Sequence, residues 1–223
     1  MPNISILSAI KKIKRPIFTT REAAACAGGS LSNTIQALNH LLKEGAAIKI
    51  TRGIWGLDLG GPQLSQYSVI SFLLPRNRAY VSFLSALHLH GIIEQIPQAV
   101  TLASTEHTKT IRTKLGVFYI HRIAPSFFKG FDWYKGAGNF LIAQPEKALV
   151  DCLYLSTRKK RQFGHFPELR FPKSFSFKRA RGWAEELPDK KLRSAVLEKL
   201  RAIAVAHNPE KISKISLDKV KAV

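Results

Sequence analysis

Residues 30–57, SLSNTIQALNHLLKEGAAIKITRGIWGL, hold the arrangement on which the reading of the fold turns. Leu31, Ile35, Leu38 and Leu42 recur at helical spacing, which predicts one apolar face of a helix. Ser30 or Ser32 supplies an N-cap, and Gly45 stands where a helix end favours a left-handed residue. At about 100° per residue, Asn33, Gln36, Ala37 and His40 fall on roughly the opposite side, with Ser32 and Lys43 flanking them. Beyond Gly45, the short β-prone segments 47–51 and 54–57 enclose the turn pair Arg52-Gly53, which predicts a hairpin.

Working outward, Ile4, Leu7, Ile10 and Ile13 form the apolar stripe of a short helix closed by Pro16. Thr19 and Glu22 have the spacing of a capping box, so a second helix is expected to start at Thr20 and to end at Gly28-Gly29. Three helices followed by a hairpin, all within about sixty residues, are the order of a winged helix-turn-helix, whose recognition helix enters the major groove. Ser32, Asn33, Gln36 and His40 are then the expected base-reading residues, because Asn and Gln pair bidentately with adenine. Arg21, Lys43, Lys49 and Arg52 are the expected phosphate contacts, which position a protein without specifying sequence. The plainer alternative is a polar surface face, or a winged domain that serves protein contacts.

Charge points the same way. Thirty-five Lys+Arg against fifteen Asp+Glu leave +20 over 223 residues, a surplus that attracts polyanions. A basic ribosome-associated protein or an anionic membrane surface are the other partners such a charge admits. The surplus is uneven: +5 in residues 1–60, +4 in 61–156 and +11 in 157–223. Arg158, Lys159, Lys160 and Arg161, then Lys178, Arg179 and Arg181, form an additional basic surface. They are interleaved with Phe163, Phe166, Phe171, Phe175 and Phe177. Cations with aromatics suit single strands or structured RNA, but these rings are expected mostly to anchor an irregular segment on a core.

Between these regions, 57–66 reads as a linker and the remainder as mixed α and β. Helices are expected at 66–74, 82–90, from Pro145 onward, and at 177–186 and 190–206. Strands are expected at 99–104, 110–113, 117–123 and 139–143. Ala148, Leu149 and Leu153 mark one apolar face of the helix at Pro145, with Glu146 in its first turn in a capping role. No catalytic set emerges. Asp132, Glu146 and Lys147 have the residue types of a nuclease but not the spacing. His88 and His90 project about 200° apart on a helix and do not share a metal, so one is expected in the core and one at the surface. No Walker or dinucleotide-binding motif occurs, and no cofactor is expected.

Cys26 and Cys152 stand far apart, which suits a reducing compartment. The apolar stretch 79–93 is too short to span a bilayer. Lys11, Lys12, Lys14 and Arg15 follow the first apolar run, where a secretory signal has its charges before it. A cytoplasmic protein with no membrane partner is expected.

Three longer stretches carry a resemblance. YVSFLSALHLHGIIEQIPQAVTLAST (80–105), LGVFYIHRI (115–123) and FLIAQPEKALVDCLYL (140–155) resemble the second domain of the AbiEi antitoxins of type IV toxin–antitoxin, phage abortive-infection systems. The marks are Ser85-Ala86-Leu87 with His90-Gly91, then Pro97 and a strand, and the closing run from Gln144 to Asp151. The preceding helices and hairpin are similar to that family's N-terminal domain, so the likeness runs from about Phe18 to Leu155; FPELRFPKSF (166–175) fits more loosely. It implies an autorepressor that binds inverted repeats in its own promoter. It also implies a second domain that assists DNA binding and neutralises a co-expressed nucleotidyltransferase-like toxin without a stable complex.

The expected fold is therefore α+β: a winged helix-turn-helix at 1–60, a mixed α/β C-terminal domain at 65–207, and a basic tail at 208–223. The expected function is a DNA-binding repressor and antitoxin. A nucleic-acid enzyme with a nuclease-like second domain, or a ligand-sensing regulator with an apolar pocket, are the alternatives.

Overall fold

The computed structural model describes residues 5–57, 64–74, 79–136, 139–158, 163 and 166–207, and the architecture is mixed α+β. The N-terminal elements are α1 (Ile6–Lys11), β1 (Ile17–Thr19), α2 (Thr20–Ala27), α3 (Leu31–Lys43), β2 (Ala47–Thr51) and β3 (Ile54–Leu57). Their boundaries follow from local chemistry. Thr19 Oγ1 accepts from the Glu22 amide at 3.1 Å and Glu22 Oε2 accepts from the Thr19 amide at 2.7 Å, a reciprocal capping box that starts α2. Gly28 (φ +67°) ends it, and Ser30 Oγ caps α3 by accepting from the Asn33 amide at 3.2 Å. At the far end Gly45 (φ +75°) lets the Ala46 amide reach the Leu41 carbonyl at 2.9 Å and its own amide reach that of Leu42 at 3.2 Å. Those two bonds are the Schellman pattern, open to glycine because it carries no Cβ.

The strands form a three-stranded antiparallel sheet in the order β1-β3-β2. The hairpin matches the sequence pattern, but β1 was not anticipated. Three residues are too few for an alternating signal, and their partner, β3, lies more than thirty residues downstream.

One expectation about α3 is corrected. Its buried residues are Thr34, Leu38 and Leu41, whereas Leu31, Ile35 and Leu42 are 48%, 42% and 38% exposed. Counting apolar side chains placed the inward face about 60° away from where packing puts it. Thr34 tolerates burial because its hydroxyl donates to the Ser30 carbonyl at 2.8 Å, so a polar residue occupies a core position without an unmet bond.

Ile10, Phe18, Ala23, Leu38, Leu41, Ala47, Trp55 and Leu57 make a small core between the helices and one face of the sheet. Ile17, Ile50 and Ile54 belong to the large core formed with the rest of the chain. Alternation along the strands sends successive side chains to opposite faces, so this small sheet is covered on both sides. The Lys114 amide donates to the Ile50 carbonyl at 3.0 Å, and a Cβ on Gly56 would meet Leu64 Cδ1 at 2.6 Å. The expected linker lies mostly at 58–63, outside the described residues, as do Lys159, Lys160, Arg161 and the tail at 208–223.

A 3-10 turn at Gln66–Val69 and α4 (Ile70–Leu73) lead into a six-stranded mixed sheet. The further elements are β4 (Ala79–Val81), α5 (Phe83–Leu89), β5 (Val100–Ser104), β6 (Lys109–Thr113), β7 (Gly116–Arg122), β8 (Phe131–Trp133) and β9 (Leu141–Ala143). Three helices follow: α6 (Pro145–Ser156), α7 (Phe177–Glu185) and α8 (Lys190–His207). Strand order is β6-β7-β5-β4-β9-β8, with β5/β7 and β4/β9 parallel. The short strands β4 and β8 escaped the sequence pattern for the same reason as β1. Phe163, Phe166, Phe171, Phe175 and Phe177 all pack against the large core.

Helix α6 departs from the one-faced helix expected, for every residue from Glu146 to Ser156 is buried. His88 and His90 depart too. Both are half-buried, with His90 Nε2 2.8 Å from the Ala143 carbonyl and His88 Nδ1 3.4 Å from that of Ile93. Among the described residues no group of three His, Cys, Asp or Glu could hold a metal, and no helix is long and apolar enough to cross a membrane.

Candidate nucleic-acid interface

With Thr34, Leu38 and Leu41 turned inward, the outward side of α3 is defined by elimination. Ser32, Asn33, Gln36, His40 and Lys43 are all exposed on it. Asn39, half-buried, lies on the same side and was missed because the face had been centred on Asn33 and Gln36. His40 Nδ1 sits 3.3 Å from Glu44 Oε1, an exposed i,i+4 pair one turn before the helix end. Ala37, expected on the outward side, is half-buried instead.

The capping box and the hairpin register fix where the cations stand. Arg21, the second residue of α2, is exposed, and the Thr20 amide donates to the Gly53 carbonyl at 3.0 Å, drawing the hairpin tip toward the start of α2. Arg52 therefore stands beside Arg21. Lys49 is cross-strand from Trp55, and its ammonium lies 5.5 Å from the indole centroid, so part of its stem is held on the ring. The indole N–H donates to Thr20 Oγ1 at 2.9 Å, which ties the sheet to α2. Between α2, α3, the hairpin and α4 runs an open cleft of about 540 Å³, lined by the cations Arg21, Lys49 and Arg52 together with the apolar Leu31, Ile35, Trp55 and Phe72. Lys43 stands apart, about 18 Å along the helix axis from Leu31.

The second basic cluster is less uniform than its sequence. Lys178 is exposed, but Arg181 Nε donates to Glu185 at 2.8 Å. Arg179 Nη2 donates to Glu146 Oε1 at 2.6 Å and to the Ser174 carbonyl at 2.7 Å. Arg158 lies over the Tyr154 ring, 5.2 Å from its centroid. Arg179 thus acts as a structural tie as well as a surface charge.

Its partner Glu146 does not cap its own helix in the manner expected. It is 2% exposed and also accepts from the Ser176 amide at 2.9 Å, which anchors the start of α7 on α6. Next to it Lys147 and Asp151, both wholly buried, form an i,i+4 ion pair. Asp151 Oδ2 accepts from Ser82 Oγ at 2.7 Å and Tyr80 Oη at 3.1 Å, and Lys147 donates to Tyr80 Oη at 3.0 Å. The ammonium also faces the Phe127 ring at 3.9 Å. Burial pushes the Lys147 ammonium below its ordinary value against the pull of Asp151, and burial with Asp151 beside it pushes the Tyr80 phenol well above its own. The signal for this network was present as a Lys-x-x-x-Asp spacing in an otherwise apolar helix. Asp132, by contrast, is exposed on β8, and its carboxylate accepts from the Trp133 amide at 2.7 Å.

No family model matches the chain, and no curated protein matches it in sequence.

Proposed function

We propose that the chain is a sequence-specific DNA-binding repressor of the winged helix-turn-helix class, and the antitoxin of an AbiEi-type system. The observation that carries the DNA-binding half is the exposed polar side of α3, with Ser32, Asn33, Gln36 and His40, on a helix whose Leu31 and Ile35 share a cleft with the cations Arg21, Lys49 and Arg52. In this reading α3 enters the major groove, β2 and β3 form the wing, and the net charge of +20 supplies sequence-independent attraction to phosphates.

The antitoxin half rests on the resemblance of the second part of the chain, whose closing run contains the buried Lys147–Asp151 pair. The partners are double-stranded DNA carrying inverted repeats in the chain's own promoter, and a co-expressed nucleotidyltransferase-like toxin met without a stable complex, all in the cytoplasm. Band shifts with the DNA upstream of the chain's own gene test the repressor: a preferred site is expected, and equal affinity for every sequence overturns it. Co-expression tests the antitoxin: the adjacent gene is expected to arrest growth alone and not with this chain. An adjacent gene that is harmless alone removes that half.

A further inference from the structure

Packing leaves Leu31 and Ile35, one turn apart on α3, exposed to solvent as neighbours on one flank of its polar side. Single exposed apolar residues are ordinary. These two differ in their surroundings, since they line one cleft together with Arg21, Lys49 and Arg52. An apolar strip bordered by three cations fits a polyanion that presents small apolar groups beside its charges. Double-stranded DNA has that chemistry, because each thymine carries its C5-methyl into the major groove. We propose that Leu31 and Ile35 are specificity-determining residues that contact thymine methyl groups, so that this protein reads thymine by its methyl as well as by hydrogen bonds. The assignment rests on the DNA-binding reading above and adds to it the chemical feature that is read.

The geometry limits where those thymines lie. The four-residue step from Leu31 to Ile35 rises about 6 Å, close to two base-pair steps of about 3.4 Å. Two methyl-sensitive positions, separated by no more than about two steps, are expected in each half-site. Arg21, Lys49 and Arg52 then hold the phosphates of the strand that carries them. Leu42, near Lys43 at the other end of α3, is not among the walls of this cleft and is assigned no such contact.

The test uses the full chain and the duplex it enriches from a random-sequence library. Each thymine is replaced singly by deoxyuridine, which keeps the pairing edge and loses only the methyl. Burying one methyl-sized group is worth about 0.8 kcal/mol, or about fourfold in affinity. Replacement at either of two positions in a half-site is expected to weaken binding by about that factor. Sensitivity at one position should vanish in Leu31→Ser and at the other in Ile35→Ser, while Asn33→Ala binds more weakly but keeps both. Both serine changes are at exposed positions, and thermal unfolding checks that the variants fold.

Enrichment of a duplex that is indifferent to every deoxyuridine overturns this inference and leaves the DNA-binding reading intact. Sensitivity that persists unchanged in both serine variants also overturns it. Failure to enrich any duplex overturns both. A strip that instead docks an acidic peptide predicts serine variants with unchanged affinity for every duplex, which again rejects the assignment.

Discussion

At the scale of single residues, the same charge does opposite work according to what surrounds it. Arg52 at the hairpin tip is exposed, while Lys147 is sealed against Asp151, Tyr80 and Phe127. Removing one member of a buried ion pair strands the other, at a cost of about 3–5 kcal/mol, whereas replacing both with apolar groups costs far less. Urea unfolding is therefore expected to show a large loss for Lys147→Met and for Asp151→Leu singly, and for the double change a loss well short of their sum, the remainder coming from the buried Ser82 and Tyr80 hydroxyls that Asp151 no longer accepts from. Additive losses would mean that the two side chains do not act as a pair. On the outward side of α3 the contrast lies in sequence dependence. Arg52→Ala is expected to weaken all duplexes similarly, and Gln36→Ala to relax preference at particular bases by about 1–3 kcal/mol, read by band shift across a set of single-base variants. Equal loss on all duplexes for both would mean that Gln36 reads no base.

At the scale of elements, the helix ends carry much of the specification, because each cap satisfies backbone groups that a helix leaves unpaired. Glu22 illustrates the pH consequence. Burial raises its carboxyl, but the Thr19 amide, Arg15 and the Thr19 hydroxyl together outweigh burial and hold it below its ordinary value near 4.5. A depressed native value means that the unfolded chain binds the proton more readily. The stability that Glu22 contributes is thus present above about pH 4.5 and lost as pH falls through the lower native value. Comparing wild type with Glu22→Gln by denaturant titration at pH 6 and pH 3, the gap between them is expected to close at the lower pH. A gap of unchanged size would mean that the cost of the substitution does not come from the ionised carboxylate. The ends of α2 were legible in the sequence to the residue, and α3 was legible to within two residues at its start, where Ser30 and Ser32 both offered a cap. The three-residue strands β1, β4 and β8 were not, since each exists only through a partner distant in sequence.

At the scale of the whole molecule, the small sheet has two covered faces, one toward α1–α3 and one toward the large core. Cutting the chain after residue 63 would expose Ile17, Ile50 and Ile54. The fragment is therefore expected to unfold at lower denaturant than the same region of the intact protein, with the fluorescence of Trp55 as the probe and Trp133 and Trp183 replaced by phenylalanine in the intact protein. Equal stability would mean that the second face contributes little. Electrostatics also act at this scale. If six to ten phosphates are neutralised, affinity should fall by about 10³–10⁵ between 50 and 200 mM salt, and a flat salt dependence would argue against polyanion binding.

The sequence by itself determined the order of helices and the hairpin, their capped ends and the sign of the surface. All of these depend on residues within a few positions of one another. Only the tertiary structure decided which side of α3 looks outward. The apolar count pointed to Leu31, Ile35, Leu38 and Leu42, but the helix turns inward on Thr34, Leu38 and Leu41 because the sheet and α1 lie on that side. Tertiary structure likewise made Glu146, expected as a first-turn cap, and Lys147 and Asp151 on the same helix into buried ties. A helix can bury charge when partners from distant strands and helices meet it, and those partners cannot be read from the helix alone.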